Sequence, residues 1–175
     1  MKKIAFIGSH GTRKTTYSHG LVFHLKENRI NADLLYEVAR KSPLPINEER
    51  TRSTQRWILH TQIAEELAYE KQNLDILVCD RASLDNYAYY VEKFGRDKVL
   101  DSLVKEHIKT YDTLIKVPII DKEIIEDGVR STDKLFQKNI DEIVDNLLGE
   151  FEADYITFRN MNQIQRYVVE TIKNN

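Results

Sequence analysis

The apolar tetrad Ile4-Ala5-Phe6-Ile7 runs directly into Gly8-Ser9-His10-Gly11-Thr12-Arg13-Lys14-Thr15, and a helical pattern with Tyr17, Leu21 and Leu25 on one face begins just after it. The octapeptide nearly satisfies the phosphate-loop pattern of glycine, four residues, Gly-Lys-Ser/Thr. The spacing alone is weak, but the strand-loop-helix context is what the motif needs physically. Backbone N–H groups and a helix N-terminus must converge on phosphate oxygens, a lysine must reach the β/γ-phosphates, and a hydroxyl must ligate Mg²⁺. Gly8, His10, Gly11, Thr12, Arg13, Lys14, Thr15 and Thr16 are therefore the expected phosphate-binding residues. Arg13 departs from the pattern, which has glycine there. If the position demands a residue without a Cβ, arginine strains the loop; if it does not, the guanidinium adds positive charge near the γ-phosphate.

Such a loop demands a parallel sheet, and the rest of the chain supplies one. Short apolar segments at Lys3 to Gly8, Asp33 to Glu37, Leu74 to Asp80, Tyr111 to Val117 and Tyr155 to Phe158 read as buried strands. Helical stripes lie between and after them: Trp57, His60, Ala64 and Leu67; Leu84, Tyr87, Ala88 and Val91; Leu100, Leu103 and His107; Phe136, Ile140, Ile143, Val144 and Leu147; and Ile164, Tyr167, Val168 and Ile172. This alternation predicts an α/β domain with helices on both faces of the sheet. Pro43 and Pro45 place a loop over Lys41 to Glu49 at the carboxyl edge, where open α/β sheets bind ligands.

At 175 residues the chain suits one domain, here 1–175, with a lid at about 121–138. A net charge of -2 offers no global field for a nucleic acid polymer or an anionic membrane. The apolar run after Lys2-Lys3 is too short for a signal peptide, and the single cysteine, Cys79, fits a reducing cytoplasm. The histidines show no transition-metal spacing. A homodimer is left open.

Ile76-Leu77-Val78-Cys79-Asp80 has the form of a strand ending in a Mg²⁺-holding acid, which makes Thr15 and Asp80 the expected metal ligands. Arg81 follows where hydrolytic motors commonly carry a water-activating glutamate, and it can bridge phosphoryl charge. Glu37 and Arg40 fall on the same edge, where a carboxylate could take a proton from an attacking hydroxyl or orient it, and where a plain salt bridge is the simpler alternative. Glu126-Asp127-Gly128-Val129-Arg130 reads as a lid that brings Arg130, with Lys134 and Lys138, over the phosphates. Trp57, Tyr87 and Tyr90 are aromatics available to stack on a base, though helical aromatics are more often core. No Asn/Thr-Lys-x-Asp guanine-reading element occurs, which argues against a GTP-specific switch and leaves the preference between ATP and GTP open.

These segments, together with Pro43-Leu44-Pro45-Ile46-Asn47, Gln62, Glu65 and Leu84-Asp85-Asn86-Tyr87, resemble small P-loop ATPases and kinases of the AAA-type and ribosylnicotinamide-kinase-like group, related to nucleoside and nucleoside-monophosphate kinases. Asp80-Arg81 is similar to the Asp-Arg-Ser/Tyr element of deoxynucleoside and thymidylate kinases. The resemblance implies a three-layer fold with strand order 2-3-1-4-5 and a small lid, and ATP with Mg²⁺ as donor. It further implies that Lys14, Glu37, Arg81 and Arg130 are catalytic, with Glu37 as base. The acceptor, a nucleoside, nucleotide or similar small molecule, would meet Glu37, Arg40, Trp57, Arg81 and Tyr87. The competing expectation is an ATP- or GTP-binding regulatory module or slow NTPase without such an acceptor.

Overall fold

The structure, a computed structural model, describes residues 1–120, 131–158 and 160–173. Strands β1 (Lys2–Ile7), β2 (Ala32–Leu35), β3 (Ile76–Asp80), β4 (Thr113–Lys116) and β5 (Ile156–Thr157) form one parallel sheet in the order β2-β3-β1-β4-β5. Helices α1 (Lys14–Glu27), α2 (Arg52–Tyr69), α3 (Ser83–Phe94), α4 (Lys98–His107), α5 (Lys134–Glu150) and α6 (Met161–Lys173) cover it. Each strand lies within a residue or two of its expected place, because the apolar runs end at turn residues that stop the pairing.

Period-two alternation divides the core between the two faces of the sheet. Ile4, Phe6, Ile76 and Val78 point toward α1 and α6, where Leu21, Leu25, Ile164 and Val168 meet them. Ala5, Ile7, Leu77 and Cys79 point the other way, toward Leu59, Tyr87, Val104 and Ile140. Strands buried on both faces are the condition under which a parallel sheet is stable.

One stripe differs from expectation. On α2 the buried positions are Thr54, Gln55, Ile58, Leu59, Gln62 and Glu66, whereas His60 and Leu67 are exposed. The polar members are buried because distant residues satisfy them. Glu66 takes an ion pair from Lys3 Nζ at 3.2 Å and hydrogen bonds from Tyr111 Oη at 2.6 Å and Gln62 Nε2 at 2.9 Å. A buried charge held in this way is stable only as a complete set.

The chain leaves β1 toward β2 on one side, and after β3 crosses to β4 on the other. A crevice therefore opens outside the carboxyl ends of β1 and β3, where Phe6 stands beside Asp80. No helix among the described residues is long and apolar enough to cross a membrane.

Candidate phosphate and acceptor site

A cavity of about 440 Å³ occupies this crevice. It is lined by His10 to Thr16, by Asp80, Arg81, Glu37 and Arg40, and by Ile46, Gln55, Ile58, Asn86 and Tyr89, whose hydroxyl lies 3.1 Å from His10 Nδ1.

The loop begins at Gly8, whose φ is +128°; a Cβ there would come within 2.8 Å of the Val117 carbonyl oxygen, so only glycine fits. Gly8 is not part of the cavity wall. Its N–H is donated to Asp85 Oδ1 at 2.7 Å, so its role is to shape the loop's entry. Arg13 has φ 70° and ψ 19°, the left-handed conformation that glycine adopts freely. The position thus makes the demand implied by the usual glycine, and arginine meets it at a cost of about 1–2 kcal/mol, with its side chain exposed at the rim. Helix α1 has neither a side-chain cap nor an acid in its first turn, which leaves its N-terminal dipole facing the cavity.

Lys14 is buried, and its ammonium donates to the Ser9 carbonyl and to Thr12 Oγ1 at 3.2 Å. Burial, followed by the charge of Arg81, lowers its pKa to about 8, against the opposing pull of Asp85, Asp80 and Glu37. Thr15 Oγ1 donates to Asp80 Oδ2 at 2.7 Å. A hydroxyl and a carboxylate in contact beside a phosphate cradle fit the protein share of a Mg²⁺ site, whose other ligands are phosphate oxygens and water. Among the described residues no three His, Cys, Asp or Glu side chains gather into a metal cage, and a phosphate-bound Mg²⁺ needs none.

Arg81 turns the chain at φ 95° and sends its guanidinium back to Glu37, with Nε donating to Oε1 at 2.6 Å. Arg40 Nε donates to the other oxygen at 2.9 Å. Burial alone would raise the Glu37 pKa, but the charge and hydrogen bond of Arg81, with Lys14 and Arg40, outweigh it and hold the carboxyl at about 2. The Arg81 guanidinium also lies over the Tyr89 ring, 5.2 Å from its centroid.

Gln55 and Asn86, also in the wall, are 4% and 3% exposed, and among the described residues Asn86 Nδ2 has no hydrogen-bond partner. They offer donors and acceptors beside the apolar walls of Ile46 and Ile58. Arg50 also lines the cavity, bound to Glu92 and to the Asn47 carbonyl, with Phe136 beneath its guanidinium. Helix α5 reaches the loop through Gln137 Nε2, which donates to the His10 carbonyl at 2.6 Å.

The structure gathers His10, Gly11, Thr12, Arg13, Lys14, Thr15, Thr16, Glu37, Arg40, Asp80 and Arg81 around one cavity. Trp57 and Tyr87 are corrected: neither lines it. Tyr87 is fully buried with its hydroxyl held by Asp97 and Asp101, and on α2 the cavity is met by Gln55 and Ile58, on either side of Trp57 in sequence. The cavity aromatic is Tyr89. Tyr90 is likewise buried and outside the wall, with its hydroxyl bonded to Arg52 and Asp97. Gln55, Arg50 and Tyr89 carried no motif signal. Arg130, and with it the lid segment at 121–130, lies outside the described residues. Of the rest of that segment, Ser131 lines the cavity, while Lys134 and Lys138 are exposed on α5 and do not.

A phosphate loop at the switch point of a parallel β2-β3-β1-β4-β5 sheet, with an acid closing the adjacent strand, defines a P-loop NTPase. Residues 3–166 match a family described as an AAA domain, and the chain belongs to that family. No protein of curated function matches the sequence. In fold the chain is similar to thymidylate kinase from Ehrlichia chaffeensis, with a TM-score of 0.68 and 19% identity over 98% of both chains. It is similar also to deoxyadenosine kinase from M. mycoides, solved with bound dATP, with a TM-score of 0.65 and 15% identity over 100% of both chains.

Proposed function

We propose that the whole chain acts as one Mg-ATP-dependent phosphotransferase domain, moving the γ-phosphoryl group to a nucleoside, nucleotide or similar small acceptor. The observation that carries this reading is one cavity lined both by the phosphate-loop residues and by the buried amides of Gln55 and Asn86 with Ile46 and Ile58, Asn86 Nδ2 having no partner among the described residues. Lys14 and the loop N–H groups bind β- and γ-phosphate oxygens. Thr15 and Asp80 hold Mg²⁺, which offsets the charge on those oxygens. The acceptor oxygen forms a bond to the γ-phosphorus as the bond to the β–γ bridging oxygen breaks and ADP leaves; a phosphate acceptor carries no proton to lose, and a hydroxyl acceptor passes its proton to an oxygen of the transferred phosphoryl group and from there to solvent. Arg81 lies where it can neutralise the transferred group. Glu37, with both oxygens bound to guanidiniums and its acidity held near 2, is better suited to orienting the acceptor and Arg81 than to taking a proton. Gln55 and Asn86 meet the polar edge of the acceptor. A reducing, cytoplasmic setting belongs to this reading, supported by a lone thiol that is buried.

The test is to incubate the protein with Mg-ATP and a panel of nucleosides and nucleotides, with Lys14→Ala as control. Acceptor-dependent ADP formation that disappears in the control is the expected result. ADP release at one rate with every acceptor and with none would reject it. Arg13 favours a second reading, a slow nucleotide-binding regulatory module, because a strained arginine replaces the loop's usual glycine. Tight binding without turnover, with transfer recovered in Arg13→Gly, would select that reading.

A further inference from the structure

Asp85 has no exposed surface, and its two oxygens serve two different loops. Oδ1 accepts the Gly8 N–H at 2.7 Å, and Oδ2 accepts the Ala82 N–H at 2.9 Å. Gly8 opens the phosphate loop, and Ala82 follows Arg81. Both loops take unusual backbone conformations at these points, φ +128° at Gly8 and φ 95° at Arg81.

Capping explains only half of this arrangement. Asp85 sits in the first turn of α3, so its bond to Ala82 belongs to that helix start. The bond to Gly8 spans 77 positions of sequence and does nothing for α3. Only a carboxylate accepts from two facing N–H groups without presenting a donor of its own; an amide of the same shape would set an N–H against an N–H. Burial raises the Asp85 pKa, and the nearby Lys14 and Arg81 charges and the two backbone hydrogen bonds oppose that rise. Other contacts on this turn include Arg81 N–H to the Phe6 carbonyl at 3.2 Å, Gln62 Nε2 to the Arg81 carbonyl at 3.3 Å, Ser83 N–H to Tyr111 Oη at 3.0 Å and Arg81 Nε to Glu37 at 2.6 Å. None of these reaches the phosphate loop.

We infer that Asp85 is a positioning residue that fixes the Arg81 turn against the entry of the phosphate loop, setting the distance between the arginine and the group being transferred. The kinetic consequence rests on the phosphotransferase reading; the geometric one does not.

The experiment compares four full-length proteins: wild type, Asp85→Asn, Arg81→Ala and the double variant. Asp85→Asn is expected to lower kcat by about 10- to 100-fold while KM for Mg-ATP stays within about threefold. In the Arg81→Ala background the same change is expected to alter kcat by less than about threefold, since there is no guanidinium left to misplace. An equal loss in both backgrounds, or an unchanged kcat, overturns the inference. Amide hydrogen exchange supplies a reading independent of turnover. Protection is expected to fall at Gly8 and Ala82 with the β1 and β3 amides unchanged; a uniform fall, or none, overturns the inference. If wild type transfers phosphate to no acceptor, the phosphotransferase reading fails alone. Exchange at Gly8 and Ala82 then decides the role of Asp85.

Discussion

Glu37 and Arg81, 44 positions apart in sequence, meet in an ion pair of 2.6 Å in which both side chains are largely withdrawn from solvent. Arg40 holds the second carboxylate oxygen, so this acid of the cavity wall is itself held in place by two guanidiniums.

That arrangement sets a pH dependence. The folded-state pKa of Glu37, about 2, lies below its ordinary value of 4.5, so the carboxylate contributes stability that is present above pH 4.5 and is lost as pH falls toward 2. The shift corresponds to about 3 kcal/mol. Denaturant titrations of wild type and Glu37→Gln between pH 2 and 7 are expected to show a difference that grows across this window and is flat above it.

The contact of Thr15 with Asp80 predicts a metal-specific defect. Thr15→Val or Asp80→Asn is expected to lower nucleotide affinity by about 10-fold or more in the presence of Mg²⁺, and by much less in EDTA, where neither side chain has a metal ion to ligate. Calorimetric titration under both conditions checks it.

Arg13→Gly is expected to raise stability by about 0.5–1 kcal/mol, since relief of the left-handed strain exceeds glycine's added chain entropy. A melting temperature higher by about 1–4 °C is the corresponding signal for a chain of this size.

The buried Glu66 set predicts a large structural effect away from the cavity. Glu66→Ala leaves the Lys3 ammonium buried without its counter-charge and is expected to destabilise the fold by about 3–5 kcal/mol, read by chemical denaturation.

The sheet and the phosphate loop were legible because their signals are local. Apolar runs ended by Gly8 and Asp80 mark strands, and the order of glycine, lysine and threonine marks a cradle. The buried face of α2 was not legible, because Gln55 and Glu66 look like surface residues in their own helix. Glu66 is buried through Lys3 and Tyr111, 63 and 45 positions away. On α3 the aromatics expected to stack were Tyr87 and Tyr90, and Tyr89 was not among them. Helical phase turns Tyr87 and Tyr90 into the core and Tyr89 into the cavity, and only the packing of α3 against α2 and α5 settles which. The partners of Asp85 were invisible for the same reason, since Gly8 joins it only once β1 and β3 are side by side.

Cys79, the chain's single thiol, lies on β3 directly before Asp80 with no surface exposed, and burial pushes its pKa well up. Its alkylation therefore needs the central strands to part, which turns the rate of thiol labelling into an intrinsic clock for opening of the sheet. Any compound that occupies the crevice slows that clock, so a ligand can be recognised before its chemistry is known.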